Sequence, residues 1–411
     1  MFASILSAFS GMLGFSKGLD VVSNNLANLN TPGFKQSELQ FRDLFYQLGL
    51  EQGSGSQDQV GQGVNANSSR VQFRQGDFRD SANTGNTNNV DAAISGNGFF
   101  ILRKDGQTFY TRNGDFQFDA DENLIEITSG ARVAGIVDGG LVDVNRRGLL
   151  INAPKPTTEV KFSGNLSVDA NDPNANPPQD PLSVTTNVID STGASRQLTI
   201  KFTNNKSVTA RSWLVQVSDT SGQVASGEIR FQGDGSPEVG FNSIAFDYAP
   251  GGSPPTTIRL NFGTPGSISQ ATGLSGGTTS TLKADSQNGI GPGSVVNTSF
   301  DETGKLTLNY SNGQKATGTQ LALANFNSLQ DLTLKGDNLF VPREGQLPTL
   351  GAPSEKGLGK IAPNKIELSN VQLTEQFTDI VILQRGFQAS SQVISVTNEM
   401  LQQLLDLRAR R

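Results

Sequence analysis

The 411-residue chain has no cysteine and no histidine. Without cysteine there are no disulfides, zinc clusters, thiolate nucleophiles or iron–sulfur centres, and the redox compartment is left open. Without histidine there is no Ser-His-Asp triad, no Cys-His dyad and no imidazole metal site. One Trp and four Tyr are too few for a sugar-stacking platform. Charged residues make up 17% of the chain, below the usual share for a globular domain. Acidic residues exceed basic ones, for a net charge of −6, so the basic surplus of a nucleic-acid binder is missing. No apolar run approaches the roughly 18 to 20 residues that span a bilayer, which predicts no membrane span. The first fifteen residues lack a basic start, since the first Lys is Lys17, and Ser and Gly interrupt them. A cleaved signal peptide is therefore not expected.

What fills the space is turn chemistry, with 46 Gly and 17 Pro. From residue 97 the chain reads as short strands at 99–102, 108–111, 116–118 and 124–127. Asp105-Gly106 and Asn113-Gly114 predict two-residue hairpin turns in an antiparallel meander. A second block of strands is expected at 160–162, 182–189, 196–202, 212–217, 228–231, 244–248 and 256–262. Strands resume at 305–310 and 320–326. The expected fold is multidomain and mainly β, with nested antiparallel β-domains and a long helix at each end in a coiled-coil-like terminal domain. Its parts are residues 1–28 with 373–411 as terminal helices and 29–73 as an extended link. Residues 74–150 with 286–372 form a first β-domain, and 151–285 an inserted outer one. Gly53, Gly55, Gly61 and Gly63 mark a loose stretch within the link.

The helices are read from spacing. Ile5, Met12, Leu19 and Leu26 lie seven apart, as do Ala8, Phe15, Val22 and Leu29. Such a double apolar row predicts a helix packed along another helix. Asn30-Thr31-Pro32-Gly33 stops it. Near the other end Leu373, Ile380, Phe387, Ile394 and Leu401 repeat the spacing. The accompanying row of Phe377, Gln384, Ser391, Asn398 and Leu405 is apolar only at its ends, which predicts a seam completed by other copies of the chain. Ser369 and Gln372 have capping-box spacing.

Candidate chemistry is weak. Asp119-Ala120-Asp121-Glu122-Asn123 opens like a calcium loop but has Leu124 and Gly130 where Gly and Glu belong, so a polar turn is expected. Gly357-x-Gly359-x-x-Ala362 has dinucleotide-loop spacing without the preceding strand or following helix. No carboxylate pair is singled out. No catalytic, cofactor or metal site is predicted, and the chain is not expected to be an enzyme.

The segment Ser23-Asn24-Asn25-Leu26-Ala27-Asn28-Leu29-Asn30-Thr31-Pro32-Gly33-Phe34-Lys35 resembles the N-terminal signature of bacterial flagellar rod and hook proteins. Ile94-Ser95-Gly96-Asn97-Gly98-Phe99-Phe100 resembles the opening of their first β-domain. Tyr310-Ser311-Asn312-Gly313-Gln314 and 321–326 resemble its return. Ser369-Asn370-Val371, Gln384-Arg385-Gly386-Phe387 and Met400-Leu401 resemble their C-terminal signature. A central insert separates the hook branch from the shorter rod proteins, and residues 151–285 supply one, with Phe162-Ser163-Gly164-Asn165-Leu166 and 188–193 resembling hook segments.

The resemblance implies a structural subunit of a bendable extracellular tube of many copies, a universal joint passing torque from rod to filament. It implies delivery through the flagellar type III export apparatus without a cleaved signal. Implied partners are the distal rod protein, the hook-filament junction protein and the hook cap protein. Self-assembly is expected to involve Ile5, Met12, Phe15, Leu19, Val22, Asn24, Asn25, Leu26, Asn28, Thr31, Gly33 and Phe34 at one end. At the other it is expected to involve Leu373, Ile380, Arg385, Phe387, Ile394, Leu401 and Leu405. The alternatives are a distal rod protein with an unusual insert and, from another class, a secreted β-rich adhesin or carbohydrate-active protein.

Overall fold

A computed structural model describes residues 2–44, 46–48, 59–61, 63–82 and 87–409. Most of the loose stretch expected around Gly53 and Gly55 lies outside the described residues. The fold is mainly β with a long helix near each end, as the sequence predicts. Helix α1 is Phe2–Ala27 and helix α2 is Leu373–Ala409. The chain divides into two compact units, one of Met1–Gly148, Val296–Leu308 and Ala316–Arg411, the other of Leu149–Val295 and Asn309–Lys315.

In the first unit, strands Ser37–Asp43 and Val64–Val71 pair antiparallel from Ser37↔Val71 to Asp43↔Val64, with an irregularity between Gln40 and Arg42. This ribbon lies against α1. A Cβ on Gly14 would stand 2.9 Å from the Phe41 ring and 3.1 Å from Ala66. Beyond it, Phe99–Lys104 and Gln107–Thr111 form the expected hairpin, turning on Asp105 and Gly106 at positive φ.

The rest of the expected meander is corrected. Asn113-Gly114 is a corner and not a hairpin turn. Strand Phe116–Phe118 leaves its predecessor and pairs with Leu124–Glu126. Gly114 is required there by crowding, since a Cβ would fall 1.6 Å from the Ala92 carbonyl oxygen. The 119–123 stretch is the polar turn between those strands, with the Asp119 carboxylate accepting from the Asp121 and Asn123 backbone N–H groups.

Strands Arg132–Val137 and Leu323–Asn325 both pair with Phe99–Lys104, so residues far apart in sequence close one core. Phe99, Ile101, Tyr110, Ala324, Phe326 and Phe340 fill it. Edge-on rings set its geometry, with Tyr110 and Phe326 centroids 4.8 Å apart at 89°. Ala92–Ser95 pairs with Lys360–Pro363, and Phe78–Asp80 with Lys365–Glu367. The chain thus returns beside its own beginning just before α2.

The second unit holds two sheets. Leu182–Ile189, Ser195–Asn204, Ser212–Asp219 and Gly222–Arg230 follow one another antiparallel. The other sheet is ordered Ser243–Tyr248, Thr256–Asn261, Glu159–Asn165 and Ala271–Thr272, with Lys283–Gln287 on Glu159–Asn165. Alternating apolar residues point inward, and Phe162, Phe202, Trp213 and Phe262 share the core. Strand Gly222–Arg230 is longer than expected because its first half, Gly-Gln-Val-Ala-Ser-Gly, carries almost no apolar alternation.

Ser4–Ala27 meets the length and composition of a membrane-crossing helix, which corrects the expectation that no segment does. Gly, Ala and Ser interrupt the large apolar residues but scarcely dilute the average. One face of this helix packs against α2, as described next.

Candidate functional site

The helix pair is antiparallel, and small residues make the seam. A Cβ on Gly11 would lie 3.2 Å from the Ser390 Oγ, and one on Gly18 would lie 2.7 Å from Leu383. On the opposite helix, a Cβ on Gly386 would come within 2.5 Å of the Phe15 ring. At the near end Asn25 Nδ2 donates to Gln376 Oε1 at 3.0 Å. Glycines inside a helix each cost about 1 kcal/mol relative to Ala. Their return here is close approach of the two backbones.

Within one chain, the seven-residue row of α2 that faces α1 differs from the row expected for self-assembly. Facing α1 are Gln376, Leu383 and Ser390, seven apart and mostly polar or small. Of the predicted residues, Val22 is buried, and Ile5, Met12, Phe15, Leu19, Leu26, Ile380, Ile394 and Leu401 are half-buried. Leu373, Arg385, Phe387 and Leu405 are exposed. A search for large apolar residues could not see a seam built on glycine. Ser369 does not form a capping box; its Oγ accepts from the Val371 N–H at 3.4 Å.

Large apolar side chains therefore remain on the outside of the pair. Phe377 is 52% exposed, Ile382 59% and Leu405 63%, with Leu6, Phe9, Leu13, Val381 and Val396 also open. These side chains leave apolar surface exposed on both helices.

The Asn-rich signature serves a different end, a buried polar junction between helices and β-structure. Asn25 reads the Ser37 backbone twice, its Oδ1 accepting from the N–H at 2.9 Å and its Nδ2 donating to the carbonyl at 2.8 Å. Asn24 is exposed, while Asn28 Oδ1 accepts from Thr31 Oγ1 at 3.1 Å, fixing the end of α1. Gly33 sits at φ +67°, where a Cβ would meet the Asn113 backbone at 2.7 Å, and its N–H donates to the Glu367 carbonyl. Phe34 beside it is buried.

Lys35, Glu367 and Arg112 then form a buried ion triad at 2%, 1% and 6% exposure. Lys35 Nζ donates to Glu367 Oε1 and, at 3.0 Å, to the Arg74 carbonyl. Arg112 Nη1 lies 3.5 Å from Glu367 Oε2, and its Nη2 donates to the Gly96 carbonyl at 2.9 Å. Gly76 N–H adds a further donor to Glu367 Oε1. Burial pulls Lys35 and Arg112 down from their ordinary pKa values, and Glu367 opposes the shift in both. Asn370 closes the junction, its Oδ1 accepting from Gln36 N–H and its Nδ2 donating to the Gln72 and Arg74 carbonyls.

A few residues away, Glu126 is fully buried and accepts from Asn113 Nδ2 and from the Ser129 N–H and hydroxyl. Asp115 stands near it and near Asp91. Its pKa is pushed up to about 6, first by burial and then by Asp91 and Glu126. Among the described residues, no group of three His, Cys, Asp or Glu is placed to hold a metal ion.

Three stretches of the chain match known family models. Residues 5–35 match the model for flagella basal body rod proteins, 93–171 the flagellar hook protein FlgE/F/G D1 domain, and 362–407 the flagellar basal body rod FlgEFG protein C-terminal region. The chain is 30% identical over 450 residues to flagellar hook protein FlgE of Borreliella burgdorferi, covering 99% of this chain and all of the relative. It is 29% identical over 432 residues to FlgE of Salmonella typhimurium, covering 98% of this chain and all of that one. Among solved structures, the Helicobacter pylori flagellar hook protein FlgE2 aligns with a TM-score of 0.40 at 16% identity. That alignment covers 69% of this chain and 98% of the other.

Proposed function

The chain belongs to the flagellar hook protein family, and we propose that it works there as the self-assembling subunit of a bendable tube. As a member of that family it is a structural subunit of the flagellar hook. The observation that carries the mechanism is the helix pair, closed on one face by glycine and left apolar on the other. Helices from neighbouring copies cover that face and build an inner tube, through Ile5, Met12, Leu19, Ile380, Ile394 and Leu401 together with the exposed row. The two β-units stand outside it. Contacts between them slide at small cost, so that rows of subunits shorten and lengthen as a bent hook turns. The buried triad keeps the helices in register with the β-unit, which a torque-bearing joint needs.

The same reading places the subunit outside the cell, delivered by the type III export apparatus without a cleaved signal. Its proposed neighbours are the distal rod protein below, the junction protein above and the hook cap at the growing end. Purified full-length chain, concentrated and imaged by electron microscopy, should form hollow curved tubes. Straight rods only, or no polymer, would overturn the proposal.

A further inference from the structure

Where the helix pair meets strand Ser37–Asp43, an open groove of about 480 Å³ is bordered by Val21, Val22, Glu38, Leu39, Glu375 and Asp379. Its three carboxylates come from two separate elements, and the lone cation among its lining residues is Arg74. Glu38 accepts a hydrogen bond from Gln72 Nε2 at 2.6 Å. Among the described residues none of the three carboxylates forms an ion pair. Like charges held together without a counter-ion repel. Consistent with this, the Asp379 carboxyl is pushed up from its ordinary range, first by burial and then by Glu375 and Glu38.

The matching charge lies in the same chain. Arg408, Arg410 and Arg411 follow Asp406 in the sequence. Most of that helix separates Asp379 from Arg408, about 44 Å at 1.5 Å per residue, so no subunit can fill its own groove. We propose that Arg408, Arg410 and Arg411 of one copy dock in this groove of a second copy, displaced along the helix axis by about that length. The inference rests on the hook-subunit reading, because it needs copies stacked end to end. Arginine suits the site. Its planar fork binds carboxylates bidentately, and its aliphatic stem can lie on Val21, Val22 and Leu39.

The test uses full-length chain and measures, by sedimentation, the concentration at which polymer appears. Reversing the basic end (R408E with R410E and R411E) should raise that concentration about tenfold at low salt, as should reversing the groove (E38K with E375K and D379K). The six changes together should restore assembly to near the parent level, and high salt should shrink the differences. Circular dichroism melts of each variant check that the β-units still fold, and the restored sixfold variant excludes simple misfolding. If either single reversal assembles like the parent, or if the combination is no better than its halves, the inference is overturned. A groove reversal that fails while the tail reversal is silent means another partner occupies the groove, and also overturns it. A parent chain that forms no polymer at all removes the hook-subunit reading itself, a distinguishable result.

Discussion

Glu367 pairs with both Lys35 and Arg112 in a buried site. Removing one member of a buried pair leaves an uncompensated charge and costs about 3–5 kcal/mol. Glu367→Gln should lower the urea stability of the chain by that amount, and an unchanged midpoint would mean the triad is solvated. Asp115 gives a pH signature of opposite character. Its folded pKa, about 6, lies above the ordinary 3.8, so the folded chain holds a proton that the unfolded chain releases. The stabilising effect is complete below 3.8 and is lost as pH rises toward about 6. Asp115→Asn should flatten the urea midpoint across that window. A parent chain whose midpoint rises there would contradict the assignment. The motif containing Lys35 was legible as a signature, but its carboxylate partner was not, because 332 positions separate the two.

At the scale of elements, Gly386 shows two opposing effects. In an isolated helix, Ala in its place would gain about 1 kcal/mol of propensity. In this seam a Cβ meets the Phe15 ring at 2.5 to 2.8 Å, and overpacking costs about 1–3 kcal/mol. Stability of the helix pair, followed by hydrogen exchange on its inner face, should fall from the parent to Gly386→Ala to Gly386→Val. An alanine variant more stable than the parent would mean the helices do not approach closely there. Strands such as Leu182–Ile189 and Ser195–Asn204 were legible because apolar side chains alternate along them. Lys315–Leu321 and Lys360–Pro363 were not, being short, polar or proline-bearing, with burial decided by distant partners. The Asn113-Gly114 corner misled for a related reason, since a dipeptide that favours a hairpin also suits any tight approach.

For the whole molecule, the second unit holds its own aromatic core, and neither helix belongs to it. Excising residues 149–295 should leave a subunit that still forms tubes but loses their curvature, as electron microscopy would show. Curved tubes of ordinary shape, or no tubes, would reassign the role of that unit. The junction has a further consequence, one of timing. Asn25 waits for Gln376 and Lys35 waits for Glu367, partners separated by 351 and 332 positions. Contacts that distant cannot form until the intervening polypeptide has been made and gathered. A chain interrupted anywhere before residue 367 lacks the piece that shuts its opening residues into place. The fold thus contains its own delay, since the opening residues gain these partners only once the last stretch is present.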